Sequence, residues 1–333
     1  MKQKFQNKHQ NKHKKRGLLK KVTQASEETI SSTEHVPVLL QHVLDVLAPT
    51  TGESYLDVTA GYAGHAQEVL SRTQNPSGMT LVDRDTFAID YLKTTVGELG
   101  VAIVKNDFLS ASQNLLEQGK RYDMILADLG VSSPHLNNGD RGFAFRFDGP
   151  LDMRMDQTQE LTAAHVVNMY DQEALTNVIK RYGEEPRARK VAQLIIEHRP
   201  VNTTTELADI VKKAYPRYTK THPATRTFQA LRIEVNDELK LVEHAIPVWL
   251  KLLNPGGRLA IISFHSLEDR IVKDAFKEMA GDRYDVQYRM LTKRPLVAGE
   301  SELVLNPRAR SSKLRAVAKI NNQKEREMHA NPG

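Results

Sequence analysis

The sequence predicts an α/β protein whose doubly wound, Rossmann-like parallel sheet carries an inserted all-helical segment. Short apolar runs alternate with helical apolar spacing from about residue 38 to residue 136, which is typical of strands joined by helices. Between about 137 and 220 only helical patterns occur, and a strand pattern returns at 259–262. Because crossovers between parallel strands are right-handed, this interrupted alternation favours one sheet with an insertion.

Four short apolar runs predict the first strands. They lie at 55–58, 79–82, 101–104 and 124–127. Helical apolar spacing predicts a helix over 39–47, one that begins at 66, and one over 87–92. Strands that alternate with helices form a parallel sheet covered on both faces.

The insertion begins with a polar loop at 137–156 that is rich in Gly and Arg. Helices are then predicted over 162–169, 172–182, 187–199 and 204–214, punctuated by prolines at 200, 216 and 223. A helix over 226–252 and strands at 259–262, 284–292 and 313–319 complete the sheet. We therefore expect a discontinuous sheet domain (34–136 and 221–320), a helical insertion (137–220), and flexible tails (1–33 and 321–333).

Charge is distributed unevenly along the 333 residues. The chain has 47 Lys and Arg against 41 Asp and Glu, and nine of the basic residues lie in residues 1–25, where no acidic residue occurs. The remainder therefore carries 38 basic against 41 acidic residues. The tail has too few apolar residues to fold alone, so we expect it to be disordered. It serves either solubility or attraction to nucleic acid.

Cysteine is absent from the chain. Its absence excludes disulfides, thiolate zinc sites, Cys-bound iron–sulfur clusters and a cysteine nucleophile. The 12 histidines show no metal-ligand spacing, so we expect no metal. The chain also has no run of eighteen apolar residues and no apolar signal segment, so we expect no membrane association and a cytoplasmic location.

A cofactor site is predicted where the first strand ends. Asp57 precedes a turn with Gly61 and Gly64, which brings a ligand close to the N-terminus of the next helix. Asp83 ends the second strand, where an acidic residue accepts hydrogen bonds from ribose hydroxyls. The turn lacks the first glycine of the dinucleotide fingerprint G-x-G-x-x-G, which favours S-adenosylmethionine over NAD, and Asp57 suits the amino group of S-adenosylmethionine. A tight turn without a ligand is the alternative.

The third and fourth strands end in further candidates. Phe108 follows the third strand and packs either on an adenine ring or only on the core. Asp128 ends the fourth strand and is followed by Ser132 and Ser133. Ligands of open α/β sheets lie beyond these strand ends, so the three residues are candidates for chemistry, with a Ser-Ser-Pro helix cap as the alternative.

Five motifs resemble those of one enzyme family. They are DLGVSSP at 128–134, DGPLDMRM at 148–155, HPATRTFQA at 222–230, SFHSLEDRIVK at 263–273 and NPRARSS at 306–312. In this order they resemble the MraW (RsmH) family, the bacterial small-subunit rRNA cytosine N4-methyltransferases. The resemblance runs from about residue 35 to residue 316, so the basic tail lies outside it.

The resemblance implies a class I S-adenosylmethionine-dependent methyltransferase fold with an inserted helical substrate domain. It implies methyl transfer to N4 of cytidine 1402 of 16S rRNA within the small (30S) ribosomal subunit. Carried over by position, the residues that contact the cofactor are Ala63, Gly64, His65, Asp83, Phe108, Asp128 and His135. The family usually has Gly at the position of Ala63 and often Gln at that of His135. A negative φ would accommodate Ala63, and His135 keeps a hydrogen-bonding group.

The implied reaction sets requirements on the site. The cytosine amino group is a weak nucleophile because its lone pair is delocalised into the ring, so transfer needs in-line approach, desolvation and acceptors for the amino hydrogens. Asp128 can accept from the amine or anchor the cofactor. Ser132 and Ser133 can orient the edge of the base.

The base must leave its stack to reach such a site. Aromatic rings stack on bases and Arg binds phosphates, which makes these the candidates for substrate binding: Arg141, Phe145, Arg146, Arg154 and His265. Structural alternatives exist for each kind of residue. The aromatic rings would seal the loop onto the sheet, Arg154 would join Asp148 and Asp152 in an internal ion-pair network, and His265 would cap a helix.

Three other functions stay open from the sequence. A DNA amino-methyltransferase usually has a second proline and then an aromatic residue after the first proline. This chain has His135 and leucine after Pro134. A dehydrogenase would need the missing glycine of the fingerprint. The third is an RNA-binding assembly factor that keeps the fold without catalysis. The sequence also leaves the oligomeric state open, a homodimer included.

Overall fold

A computed structural model describes residues 37–130, 136, 138–217, 219, 221–280 and 286–321. Within them the strands are β1 (Tyr55–Asp57), β2 (Met79–Asp83), β3 (Ala102–Lys105), β4 (Tyr122–Asp128), β5 (Leu253–Ser263), β6 (Tyr288–Met290) and β7 (Lys313–Lys319). Among these residues they form one sheet in the order β3-β2-β1-β4-β5-β7-β6. Strands β1 to β5 pair in parallel, whereas β7 runs antiparallel to both of its neighbours.

The helices of the sheet domain come before and after the insertion. They are α1 (Leu40–Leu47), α2 (Gly64–Thr73), α3 (Thr86–Thr95), α4 (Phe108–Glu117), α10 (Glu238–Leu252), α11 (Ser266–Met279) and α12 (Glu300–Leu305). The insertion and the segment after it contain α5 (Ala163–Met169), α6 (Gln172–Gly183), α7 (Ala188–Glu197), α8 (Thr204–Lys212) and α9 (Ala224–Asn236).

The central strands are buried on both faces. Every residue of β1 is buried, and Leu56 and Ile125 have no exposed surface because helices cover both sides of the sheet. Trp249 of α10 fills one side and donates a hydrogen bond of 2.9 Å to the Ser112 hydroxyl. The predicted doubly wound sheet, with its strands at 55–58, 79–82, 101–104, 124–127, 259–262 and 313–319, is confirmed. The class I methyltransferase architecture is confirmed with it.

The predicted helix over 226–252 is wrong as a single element. Asp237 has a φ of 50°, which ends α9 at Asn236, and α10 begins at Glu238 as a separate helix. A single residue with a left-handed backbone does not change the spacing of the apolar residues around it. The helical spacing therefore continues across Asp237 and predicts one helix instead of two. The predicted strand at 284–292 is present as β6, although residues 281–285 are outside the described part of the chain.

The insertion has a hydrophobic core of its own. Val166, Ile179 and Val191 lie in it without exposed surface, and Leu231 of α9 belongs to the same cluster. Packing therefore extends the helical unit past the predicted boundary at residue 220, through α9. Asn236 closes this unit, since its side chain accepts from the Met155 amide at 2.9 Å and donates to a backbone carbonyl of the loop.

Both predicted tails fall largely outside the described residues. Residues 1–36 and 322–333 are not described, so the expectations for 1–33 and 321–333 stay predictions. Among the helices that are described, none is long and apolar enough to cross a membrane.

Candidate functional site

One cavity opens at the carboxyl ends of the parallel strands and faces the helical insertion. Its volume is about 870 Å³. The sheet order places the turn after β1 and the end of β2 toward one side, and the end of β5 toward the other. Predicted residues from both sides line this single cavity: Gly64, His65, Asp83, Phe108, Asp128, Phe145 and His265. Residues separated by up to 201 positions in sequence are thus brought together, as expected for an open α/β sheet.

The turn after β1 is shaped by hydrogen bonds to Asp83. Its Oδ2 accepts from the Gly61 amide at 2.8 Å, and its Oδ1 accepts from the Asp85 amide at 2.8 Å. The Thr59 hydroxyl accepts from the Asp128 amide at 2.6 Å, which ties the ends of β1 and β4 together. A half-buried carboxylate that accepts from two backbone donors is fixed in position, so Asp83 holds a defined place in the cavity wall.

Ala63 differs from expectation. Its φ is +61°, in the left-handed region, so the condition under which Ala63 would be accommodated, a negative φ, is not met. The side chain is fully buried, and the Gln67 amide donates to the Ala63 carbonyl at 2.8 Å, which holds this conformation at the start of α2. Gly64 is constrained differently, because a Cβ there would lie 2.6 Å from Cγ of Pro37.

Three ionisable side chains meet at the base of the cavity. Asp57 is buried, accepts from the Tyr55 hydroxyl at 2.9 Å and accepts from the Thr59 amide at 3.1 Å. Burial raises the pKa of Asp57 to about 6, partly offset by the nearby His65. Nε2 of His65 lies 3.7 Å from a carboxylate oxygen of Asp128. Both ring nitrogens of His65 and Oδ1 of Asp128 are buried without a hydrogen-bond partner in the described structure.

Phe108 is the first residue of α4 and lies at the edge of these three ionisable side chains. Its ring lies 5.5 Å from that of Trp249 in a tilted arrangement, and it also lines the cavity. The predicted packing on the core is therefore present, and stacking on an adenine ring stays a prediction that the position of Phe108 in the cavity wall allows. Asp107 holds the start of α4, since its side chain accepts from the amides of Leu109 and Ser110.

Three predicted residues cannot be placed. Ser132, Ser133 and His135 lie in 131–135, outside the described residues. Asp128, Leu129 and Gly130 lead to this segment at the cavity wall.

Two arginines that were predicted to bind substrate form hydrogen bonds within the loop instead. Arg141 is buried and donates to the carbonyls of Arg154 and Met155, at 2.9 and 3.2 Å. Arg154 forms a paired hydrogen bond with Asp152, at 2.8 Å for each oxygen, and also donates to two loop carbonyls. The internal ion pair weighed for Arg154 is present, although Asp148 bonds to Thr205 instead. These contacts favour loop closure over RNA binding for both arginines.

The aromatic part of the loop faces the cavity. Phe145 stacks on His222 with ring centroids 4.5 Å apart and meets Phe228 of α9 edge-on at 5.0 Å. Arg146 is exposed, and its guanidinium lies 4.8 Å from the ring centroid of Phe147. Phe145 thus joins the loop to the insertion, while Arg146 lies toward solvent.

His265 caps α11. Its Nδ1 accepts from the Glu268 amide at 3.3 Å, and Glu268 Oε2 accepts from the Phe264 and His265 amides, which forms a capping box. The structural alternative considered for His265 is therefore present, and the ring also lines the cavity. Sequence reasoning missed its neighbours Arg232, Glu238 and Glu268, which line the same wall. The capping-box spacing from His265 to Glu268 was the only local signal for them.

Comparison with known sequences identifies the family. The model of the MraW methylase family matches residues 32–320. The chain is 43% identical over 310 residues to a protein of Halothermothrix orenii named ribosomal RNA small subunit methyltransferase H, covering 87% of this chain and 99% of that relative. It is 47% identical over 296 residues to a protein of the same name from Acidobacterium capsulatum, covering 86% and 98%.

Solved structures are more distant. TrmN from Thermus thermophilus aligns with a TM-score of 0.39 at 12% identity, covering 85% of this chain and 48% of that one. NSun6 from Pyrococcus horikoshii with SFG aligns with a TM-score of 0.40 at 12% identity, covering 87% and 53%. Likeness this low carries no argument about function. The family match over most of the chain, and identities of 43% and 47% along nearly whole relatives, show that this chain belongs to the MraW methylase family.

Proposed function

We propose that this methyltransferase transfers a methyl group from S-adenosylmethionine to N4 of a cytidine of 16S rRNA, with the small ribosomal subunit as substrate. The main support for the proposal is that the predicted cofactor residues and the insertion line the same cavity. It combines the turn after β1 and Asp83 with a second wall built by the insertion loop and α9. The names of the relatives, which are small-subunit rRNA methyltransferases, support the substrate class. A substrate of this kind implies a cytoplasmic location.

The chain's residues fit S-adenosylmethionine. The buried and unpartnered atoms of His65 and Asp128 lack hydrogen bonds that a polar ligand would supply. Asp83 and Phe108 line the cavity where ribose hydroxyls and an adenine ring would be bound. Asp57, when ionised, suits the amino group of the cofactor. When bound, the cofactor supplies a methyl group activated by its sulfonium.

The cavity wall built by the insertion loop and α9, opposite the cofactor residues, suits a base that has left its stack. Phe145 and Phe228 present aromatic surface, and loop closure by Arg141 excludes water from this side of the cavity. Asp128 lies between the two walls, at the end of β4 and beside β5. In this position its unpartnered Oδ1 can accept an amino hydrogen of the base and orient the N4 lone pair.

The experiment that tests the proposal separates catalysis from binding. Purified protein is incubated with methyl-labelled S-adenosylmethionine and small subunits from cells that lack the enzyme, with free 16S rRNA and duplex DNA in parallel. We expect label in the subunits alone. The Asp128→Ala variant should bind subunits as the wild type does and transfer at least 100-fold more slowly.

Two results would contradict the proposal. Label in DNA would overturn the substrate class while keeping the cofactor. No transfer by the wild type, with a second methyltransferase active on the same subunits, would favour an assembly factor without catalysis.

A further inference from the structure

A buried network of four side chains lines the insertion wall of the cavity: Arg232, Glu238, His265 and Glu268. Arg232 donates to both oxygens of Glu238, at 2.9 and 2.8 Å, and lies 3.9 Å from Oε1 of Glu268. Nε2 of His265 lies 3.2 Å from the same Oε1. The side chains of Glu268 and His265 are 2% and 8% exposed, so the network is shielded from water.

The network carries excess negative charge. One guanidinium and two carboxylates give a net formal charge of −1 when the imidazole is neutral. Burial raises the pKa of Glu268, but His265, Arg232 and the amide donors outweigh it, so the pKa lies below its usual value. Glu268 is therefore ionised near neutral pH, although it is buried.

Hydrogen bonding inside the network is incomplete on the cavity side. Oε2 of Glu268 accepts from the Phe264 and His265 amides, whereas Oε1, among the residues that the structure describes, has the contacts to His265 and Arg232 given above. Nε2 of His265 is buried, and its contact with Oε1 lacks hydrogen-bond geometry. Since Nδ1 accepts from the Glu268 amide, the neutral ring carries its proton on Nε2 and can act there only as a donor. The cavity wall thus offers one ionised acceptor beside one unused donor.

We propose that this network binds the reacting edge of the target base, with Glu268 accepting the amino hydrogen that Asp128 does not accept and His265 Nε2 as a donor to the ring. The inference rests on the proposed function. Cytosine presents this combination along one edge, with amino hydrogens at N4 and an acceptor at N3. Uracil presents a carbonyl where Glu268 requires a donor, so the same pair selects cytosine.

The negative charge also acts on the reaction itself. As the N4–C bond forms, the C–S bond breaks with its electron pair left on sulfur, and N4 gains positive charge. A fixed carboxylate beside N4 stabilises that charge more than it stabilises the neutral base, which lowers the barrier. One N4 hydrogen then leaves as a proton to Oε1 of Glu268 and exchanges with solvent.

A metal ion is the competing occupant. Ligand atoms of Glu238, His265 and Glu268 lie within 4.8 Å of one another. Both oxygens of Glu238 are held by Arg232, however, so a cation would have to displace a guanidinium that already neutralises the carboxylate.

The test uses Glu268→Gln in the full-length protein. Glutamine keeps one oxygen for the two amides of the cap, removes the charge and places an NH₂ donor toward the amino group. We expect the single-turnover rate on subunits to fall about 100-fold, while the Kd for S-adenosylmethionine and for subunits changes less than twofold. Glu206→Gln is the matched control, because Glu206 closes the capping box of α8 with Thr203 in an exposed position. It should leave the rate unchanged.

Several outcomes would overturn the inference. A Glu268→Gln rate within threefold of wild type would do so while the proposed function stands, because the wild type is active in the same assay. Should Glu268→Gln not fold, Glu238→Gln removes a charge from the same network, and a rate equal to wild type would have the same meaning. Binding of a divalent cation to the purified wild-type protein, lost in Glu268→Gln, would identify a metal site instead. No transfer by the wild type would remove both the inference and the proposed function.

Discussion

Asp83 and Gly61 are joined by a hydrogen bond of 2.8 Å from the Gly61 amide to a carboxylate oxygen at the end of the neighbouring strand. The bond fixes the turn after β1 against β2, and the second oxygen of Asp83 accepts from the Asp85 amide. One side chain thus sets the backbone on two sides of the cofactor wall. It can do so only as a carboxylate, because both partners are donors.

Asp83→Asn therefore places an NH₂ group against a backbone N–H. We expect a loss of about 1–3 kcal/mol in the free energy of unfolding and at least a tenfold weaker Kd for S-adenosylmethionine. Urea unfolding and calorimetry measure the two effects. Asp90→Asn, on the exposed face of α3, is the control and should stay within about 0.5 kcal/mol. Equal behaviour of the two variants would show that the Asp83 bonds do not set the turn.

Ala63 has a left-handed backbone, which disfavours any residue with a Cβ. Ala63→Gly should raise the free energy of unfolding by about 1 kcal/mol, because glycine adopts a φ of +61° without that cost. Ala66→Gly, three residues later within α2, should instead lower stability by about 1 kcal/mol or more. Thermal unfolding of both variants checks the opposite signs. Destabilisation by Ala63→Gly would mean that the buried methyl group matters more than the backbone conformation.

The raised pKa of Asp57, about 6, predicts how cofactor binding depends on pH. Above this pKa the ionised carboxylate attracts the cofactor's amino group, so affinity should fall about tenfold between pH 7 and pH 5. His65, Asp128 and the Tyr55 hydroxyl surround Asp57. The Asp57→Asn variant therefore shows how much of the pH dependence of cofactor binding comes from Asp57 itself. Calorimetry on that variant should give weaker binding with a flatter pH profile. An unchanged profile would assign the titration to a neighbour.

The same shift affects folding. A carboxyl whose folded pKa is raised contributes stability below its unfolded pKa of 3.8, and loses that contribution as pH rises through 6. The free energy of unfolding of the wild type should therefore contain a contribution from Asp57 that is lost between pH 4 and pH 7. Asp57→Asn removes this contribution, so its free energy of unfolding should fall less over the same range. Denaturant unfolding at both pH values gives the comparison. A variant whose loss equals that of wild type would contradict the assigned pKa.

The basic residues of 1–25 provide a test outside the described structure. Deleting this segment removes nine positive charges, so the slope of log affinity against log salt for small subunits should become shallower, with methyl transfer retained. A full-length variant with those nine residues changed to Gln should match the deletion. An unchanged slope would leave solubility as the function of the tail.

Local patterns predicted the sheet because its central strands are buried on both faces and appear as continuous apolar runs. Tyr55–Asp57 and Met79–Asp83 are examples, and the helices between them have regular apolar spacing. The break at Asp237 and the left-handed Ala63 could not be predicted, because one residue with positive φ leaves no periodic signal.

The cofactor wall was predictable in part, since Asp83 and Asp128 end strands whose carboxyl ends must meet. The insertion wall was not. Arg232 comes from α9 and Glu268 from α11, and only packing of the insertion onto the sheet brings them within 3.9 Å. Arg141 and Arg154 were candidates for RNA binding because Arg binds phosphates, yet backbone carbonyls and Asp152 hold them in the loop.

The identity of the methylated atom distinguishes cytidine N4-methylation from other methyl transfers to rRNA. Small subunits from cells lacking the enzyme are treated with the protein and methyl-labelled S-adenosylmethionine, and the rRNA is digested to nucleosides and analysed by mass spectrometry. We expect label in N4-methylcytidine, at one site of 16S rRNA. Label on another atom, or on a nucleoside other than cytidine, would contradict it.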